Sequence, residues 1–299
     1  MIDSITFLVS GTSLPEDSQE VSLSWQGLRK GKLAGFHVRE TAGGLIVKGS
    51  LPKYLMGNNV QPLTRQAVEE ALTKLQELSG WDLTASPLLQ VEIGYTFTVD
   101  KKPSLFFASW GEVPRFKKAV YSGVTVESIT YFTKSTSFIA YDKKIEVRTS
   151  KQHIPPLFEG FEIIRLELQI KRGLKKQIGR SLSVMDLADR TIYSRLIDLL
   201  EGFYFKIPKG RSLLLDTSKV ITPSDFEKAI MAYGVQTLGQ DYLFKILNDL
   251  ETRGVFGRTQ VSRVKKSIRE ALEDKRLTVA DSLTAELDSK VREVCRLKR

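Results

Sequence analysis

The stretch from Phe161 to Arg172, FEIIRLELQIKR, restricts the fold more than any other part of the chain. Successive side chains of an extended backbone point to opposite faces, so Arg165, Glu167 and Gln169 share one face while Ile164, Leu166 and Leu168 take the other. The apolar face demands a core to cover it, and the charged face must be directed at something. A strand of this kind belongs in a sheet with one side packed and the other at work.

The rest of the first two thirds supplies neighbours for it. MIDSITFLVS and AGGLIVKGSL read as strands, separated by a loop-rich stretch from Thr12 to Gln19. SPLLQVEIGYTFTV, SLFFASW, VESITYFTK and TSFIAY are rich in β-branched and aromatic residues, with Asp100 and Pro103 among the turn formers between them, and together they predict an antiparallel sheet. Helical spacing recurs twice in this region. Thr64 stands as an N-cap before Val68, Ala71, Leu72, Leu75 and Leu78, and Gly80 ends that pattern. A second helix is expected from Ser183 through Leu200, stopping near Gly202 with Phe203, Tyr204 and Phe205 behind it, and covering the sheet. The segment Ile207 to Thr222 marks a boundary, because the periods beyond it are helical: about Ser224–Tyr233, Leu238–Arg253 and Arg258–Asp274, then a charged helix from Thr278 to Arg299. The expected organisation is therefore a domain over residues 1–207 and a helical one over 208–299.

Charge narrows the partners. With 45 Lys+Arg against 35 Asp+Glu the formal charge is +10, which favours a polyanion, nucleic acid first. An anionic membrane would call for a basic amphipathic helix or a lipidation signal, and MIDSITFLVSG has neither a charged leader nor a sufficient apolar run. No segment is long enough to span a bilayer. The single Cys295 excludes an intrachain disulfide and a cysteine zinc cluster and fits a reducing compartment, so a cytoplasmic location is expected.

Chemistry concentrates in Thr136–Arg148, TSFIAYDKKIEVR, which delivers Tyr141, Lys143 and Glu146 from the end of an apolar strand. A phenol with a reference pKa of about 10 attacks a phosphodiester only if its proton is removed or its oxyanion stabilised, and Lys143 or Lys144 brings an ammonium close in either an extended or a helical backbone. The plain alternative is a strand end with solvated charges. Carboxylates in apolar strands are costly unless paired or bound to a cation, and Glu92 in LLQVEIGY and Glu167 in IIRLELQI are two such cases. With Glu146 they form an oxygen donor set suited to Mg²⁺ or Mn²⁺; pairing of Arg165 with one of them is the structural alternative. Asn58 and Asn59, after Gly57, are candidates for hydrogen bonds to a phosphate or nucleotide, or for a turn alone. Lys171, Arg172, Lys175, Lys176 and Arg180 follow the Glu167 strand without an intervening acid, as backbone-phosphate contacts or as a solvated run. His37, in the strand-like GFHVRE, and His153, in a loop before Pro155 and Pro156, are too far apart in sequence for a paired-histidine ligand motif, and no GxxxxGK[ST], strand-linked GxGxxG or GxSxG motif is present.

The order of these pieces resembles the replication initiators of filamentous phages and, more loosely, rolling-circle plasmid initiators without a double-histidine motif. The resemblance covers roughly Met1 to Gly179: an N-terminal MID strand, Gly57-Asn58-Asn59, a helix, a strand acid, Y-x-K-x-x-E and R-x-E. It implies an α+β fold, an antiparallel sheet flanked by helices as in histidine-hydrophobe-histidine endonucleases, with a helical C-terminal domain for DNA binding. It also implies nicking and rejoining of origin DNA through a 5′-phosphotyrosine, leaving a 3′-hydroxyl primer. Tyr141 becomes the nucleophile with Lys143 beside it; Glu92, Glu167 and Glu146 become metal ligands; and Arg165 falls on the R-x-E arginine as a DNA contact. Where some relatives have Gly-His-Asn, this chain has Gly-Asn-Asn, so a histidine ligand is missing. Implied partners are the single-stranded nick site and duplex flank of the origin, a host helicase and a polymerase, with room for a dimer on the origin. The alternative is a non-catalytic origin-binding replication regulator.

Overall fold

The alternation at Phe161–Arg172 does form a strand. The computed structural model describes residues 1–14, 19–23, 28–123, 126–150, 154–209, 222–238, 240–273 and 282–298. Most of the boundary segment Ile207–Thr222 lies outside these residues, as do His153 and the expected helix start at Thr278. In chain order the strands are β1 (Ile2–Ser10), β2 (Gln19–Leu23), β3 (Arg29–Leu33), β4 (Phe36–Thr41), β5 (Gly44–Ser50), β6 (Leu88–Val99), β7 (Lys117–Ser122), β8 (Val126–Phe132), β9 (Thr136–Asp142) and β10 (Glu162–Ile170). They form one ten-stranded sheet in the order β2-β3-β4-β5-β1-β6-β10-β9-β8-β7, and the pairings are antiparallel. The fold is thus α+β, with β10 in the interior between β6 and β9.

The helices are α1 (Leu51–Met56), α2 (Arg65–Ser79), α3 (Pro103–Ala108), α4 (Lys143–Thr149), α5 (Leu174–Ile178), α6 (Arg190–Tyr204), α7 (Pro223–Leu238), α8 (Gln240–Thr252), α9 (Arg258–Glu273) and α10 (Ser282–Lys298). Capping explains α2: the Thr64 hydroxyl accepts the Ala67 N–H at 3.1 Å, and Gly80 closes the last turn. Leu78, counted above in its apolar stripe, is exposed. The second expected helix starts later and runs further. Asp189 caps α6 by accepting the Ile192 N–H at 2.9 Å, so Ser183–Ala188 stay outside it. Gly202 does not stop it, because Phe203 and Tyr204 are buried on its last turn and the Phe203 ring stacks on Phe138 at 4.8 Å. Packing of this kind outweighs the roughly 1 kcal/mol that an interior glycine costs a helix.

SLFFASW is a correction: it forms α3 instead of a strand. Pro103 has the fixed φ that suits a first helical turn, and Phe106 and Phe107 are buried from helical positions that strand periodicity does not separate. Strands β2 and β3 are an addition, while β4 forms from the strand-like GFHVRE segment of His37. The short sequences of β2 and β3, QEVSL and RKGKL, carry no apolar run, and the β3–β4 hairpin turns on Ala34 and Gly35, both at positive φ.

The chain divides into two compact units, Met1–Pro103 with Glu112–Ile207 and Ser289–Arg299, and Ser104–Gly111 with Pro208–Asp288. In this division Ser104–Gly111 and Ser289–Arg299 fall on the other side of the sequence boundary at 207/208. The first unit contains the whole sheet, whose apolar face includes Ile164, Leu166, Leu168 and Phe138, with α6 against β6 and β10. The second has its own core of Val235, Leu247, Val261 and Ile268, joined by Leu243 and Phe244.

Candidate active site

The working face of β10 carries Arg165, Glu167 and Gln169, and sheet register decides what meets them. Arg165 lies opposite Thr96 on β6 and Tyr141 on β9; Glu167 opposite Gly94 and Ile139; Gln169 opposite Glu92 and Ser137. Directly opposed residues share a face, so Glu92 and Tyr141 join Glu167 there. The Tyr141 hydroxyl donates to Glu167 Oε1 at 2.7 Å, and Gln169 Nε2 donates to Glu92 Oε2 at 2.7 Å.

A third carboxylate, Asp3, comes from β1. Simple alternation sends Asp3 to the apolar face with Ile5 and Phe7. The pairing Ile5↔Val91 and Ile2↔Ile93 spends three steps on β1 against two on β6, a β-bulge in which Asp3 and Ser4 together face Glu92. Asp3 thereby turns to the working face, where Ser50 Oγ donates to its Oδ1 at 2.8 Å. Asp3, Glu92 and Glu167 each offer an oxygen, all within 4.8 Å of one another. The signal that flagged Glu92 and Glu167, an acid inside an apolar strand, is equally present in MIDSITF.

Arg165 is 1% exposed and is the centre of this group. Its Nε donates to Glu167 Oε1 at 2.8 Å, one terminal nitrogen donates to Thr96 Oγ1 at 3.0 Å and to the Asn59 carbonyl, and the other pairs with Asp3. With its donors so engaged, it is an internal clamp with no free edge for DNA. Gly94 makes room for it, since a Cβ there would stand 2.7 Å from the guanidinium. One guanidinium offsets one of three carboxylates, and the remaining charge, presented by hard oxygens, suits a divalent cation of the Mg²⁺, Mn²⁺ or Ca²⁺ type. The group can hold a metal ion.

The electrostatics register this crowding. Burial, then the charges of Glu167 and Asp3, push Glu92 up to about 8. Burial and the Glu167 charge hold the Tyr141 phenol well above its ordinary value. Burial and the nearby Arg165 lower Lys143. Asp3 and Glu167 overcome the cost of burying Arg165 and keep it firmly charged.

Lys143 and Glu146 sit on α4, which starts where β9 ends because the Asp142 carboxylate caps the Lys144 and Ile145 N–H groups. The buried Lys143 Nζ donates to Glu146 Oε2 at 2.6 Å and Asn59 Oδ1 at 3.0 Å, and lies 5.7 Å from the centre of the Tyr141 ring. Glu146 therefore serves Lys143 and stands apart from the three-acid group, whose third member is Asp3. The two asparagines also part company. Asn58 ties its own turn by accepting from the Val60 N–H at 3.1 Å, while Asn59 points inward to hold Lys143.

The basic run divides. Lys171 follows Gln169 by two residues, and its Nζ donates at 2.8 Å to Ser137 Oγ, opposite Gln169 at the Glu92 end of the working face. Arg172 and, on α5, Lys175 and Lys176 are exposed, and Arg180 is engaged with Asp186 at 2.9 Å. Among the described residues no helix is long and apolar enough to cross a membrane. No protein-family model matches the chain, and no curated protein matches it in sequence.

Proposed function

We propose that this protein is a rolling-circle replication initiator that nicks and rejoins origin DNA through a covalent 5′-phosphotyrosine, on a core like that of histidine-hydrophobe-histidine endonucleases. The observation that carries the reading is a tyrosine hydroxyl hydrogen-bonded to one member of a three-carboxylate cluster on one sheet face. Asp3, Glu92 and Glu167 would hold Mg²⁺ or Mn²⁺. When bound there, the cation supplies Lewis-acid polarisation of the scissile phosphate.

The protein's own residues do the rest. Tyr141 Oη forms a bond to phosphorus while the bond to the 3′ oxygen breaks, and its proton passes to Glu167, which already accepts that hydrogen bond. The 3′ oxygen takes a proton from solvent and leaves as the primer hydroxyl. Lys143, fixed by Glu146 and Asn59, offsets charge on the phenolate, and Arg165 keeps Glu167 and Asp3 aligned. Rejoining is the same displacement in reverse. Origin DNA, a host helicase and polymerase, and the cytoplasm of a bacterial host complete the reading, with the second unit contacting duplex flank.

The test uses labelled single-stranded oligonucleotides from the replicon that encodes the protein, with Mg²⁺ or Mn²⁺, on a denaturing gel. A metal-dependent adduct that is lost in Tyr141→Phe and reduced at least a hundredfold in Glu167→Gln is expected. An adduct retained in Tyr141→Phe moves the nucleophile. Footprinted binding without cleavage under either metal replaces this reading with the non-catalytic regulator.

A further inference from the structure

The face that carries Glu92 continues across β6 to β1, β5, β4 and β3, and its chemistry changes from acidic to basic. Gln90, two residues before Glu92, lies opposite Thr6; Thr6 lies opposite Lys48, Lys48 opposite His37, and His37 opposite Lys32. A parallel row sets Lys30 opposite Arg39. Strands lie about 4.8 Å apart, so the row from Gln90 to Lys32 is roughly 19 Å long, and the two rows are about 7 Å apart. Here the surface is concave, with a volume of 680 Å³ lined by Lys30, Lys32, Arg39 and Lys48, and no acid is among its described lining residues.

Like charges directly opposite one another destabilise a sheet. Solvated sheet faces ordinarily avoid them, yet Lys30 faces Arg39. Protection of a sheet edge does not account for this, because the edge is β2 and the cations reach inward to β5. A polyanion that neutralises the rows does account for it.

We propose that this concavity is the track for one nucleic acid strand, whose phosphates run from the acid cluster beside Gln90 outward over β1, β5, β4 and β3. A path two residues wide fits one backbone, and lysine and arginine contacts to its phosphates hold it independently of sequence. The inference rests on the nicking reading for the strand's destination, and it assigns the non-reacting part of the substrate a place on β1, β5, β4 and β3.

The experiment is fluorescence anisotropy of a labelled oligothymidylate with the full chain in chelator, across a salt series, for wild type and Lys30→Gln/Arg39→Gln/Lys48→Gln. Each single-strand phosphate contact adds about 0.7 to the salt slope, so the triple variant should lower the slope by about 2 and weaken binding on the order of tenfold or more at moderate salt. Arg172→Gln/Lys175→Gln/Lys176→Gln, with the same charge change, should bind as wild type, and so should Lys30→Arg/Lys48→Arg. Relief of the Lys30–Arg39 pair leaves the groove variant's Tm unchanged or raised, which separates lost binding from lost folding. Wild-type affinity and slope in the groove variant overturn the track, even if nicking is confirmed. Loss of binding in that variant while wild type forms no adduct sustains the track and sinks the nicking reading. An equal loss of duplex binding overturns the assignment to a single strand, and a wild type that binds no oligothymidylate overturns the track outright.

Discussion

At the scale of the residue, Arg165 and Glu92 hold opposite ends of the site's charge balance. Arg165 aligns two carboxylates only because Gly94 lacks a side chain, so Gly94→Ala should displace the guanidinium and cost about 1–3 kcal/mol, read from urea unfolding in chelator. An unchanged midpoint would mean that the guanidinium shifts freely and is no clamp. Glu92 is held at about 8 against an ordinary 4.5, so the folded protein keeps a proton that the unfolded chain releases. The stability this contributes is fully present below about pH 4.5 and is lost as pH rises through about 8. Metal-free wild type should therefore lose on the order of a few kcal/mol across that window relative to Glu92→Gln, in unfolding measured at successive pH values. Parallel curves would show that Glu92 is not crowded by Asp3 and Glu167.

At the scale of the element, two short irregularities matter more than the long regular strands. The β1 bulge turns Asp3 toward Glu92, and Ser50, at the end of β5, steadies it while capping α1 through the Lys53 N–H. Ser50→Ala removes both bonds. It should cost about 1 kcal/mol of stability and lower divalent-metal affinity by about tenfold or more, measured by calorimetry. Loss of stability with metal affinity intact would separate the cap from the site. Much of this level was legible in the chain: the face alternation of β10, the caps of α2, and Glu92 and Glu167 as acids in apolar strands. The bulge was not, because a register shift is a relation between two strands, and Asp3 read alone falls on the wrong face. SLFFASW was misread for a related reason, since a short aromatic run has no period of its own.

At the scale of the whole molecule, the three carboxylates come from three strands, β1, β6 and β10, so occupying the cluster links segments almost the full length of the sheet-bearing unit apart in sequence. Divalent metal should raise the protein's Tm, by about 2.7 kcal/mol of stability at a hundredfold excess over Kd, and Asp3→Asn should abolish the rise without abolishing folding. A metal-induced shift that survives Asp3→Asn would place the cation elsewhere. By itself the sequence determined that a strand would present Arg165 and Glu167 on one face, that a tyrosine would end an apolar strand beside an ammonium, and that the whole would be basic. Those are properties of local alternation and composition. Only the tertiary structure decided that Asp3 completes the acid group, that Arg165 is consumed inside it, that Glu146 serves Lys143, and that cations from three strands, Lys30, Arg39 and Lys48, line one hollow with Gln90. Each of these depends on register between strands distant in sequence, which hydrogen bonding across the sheet sets and no single segment encodes.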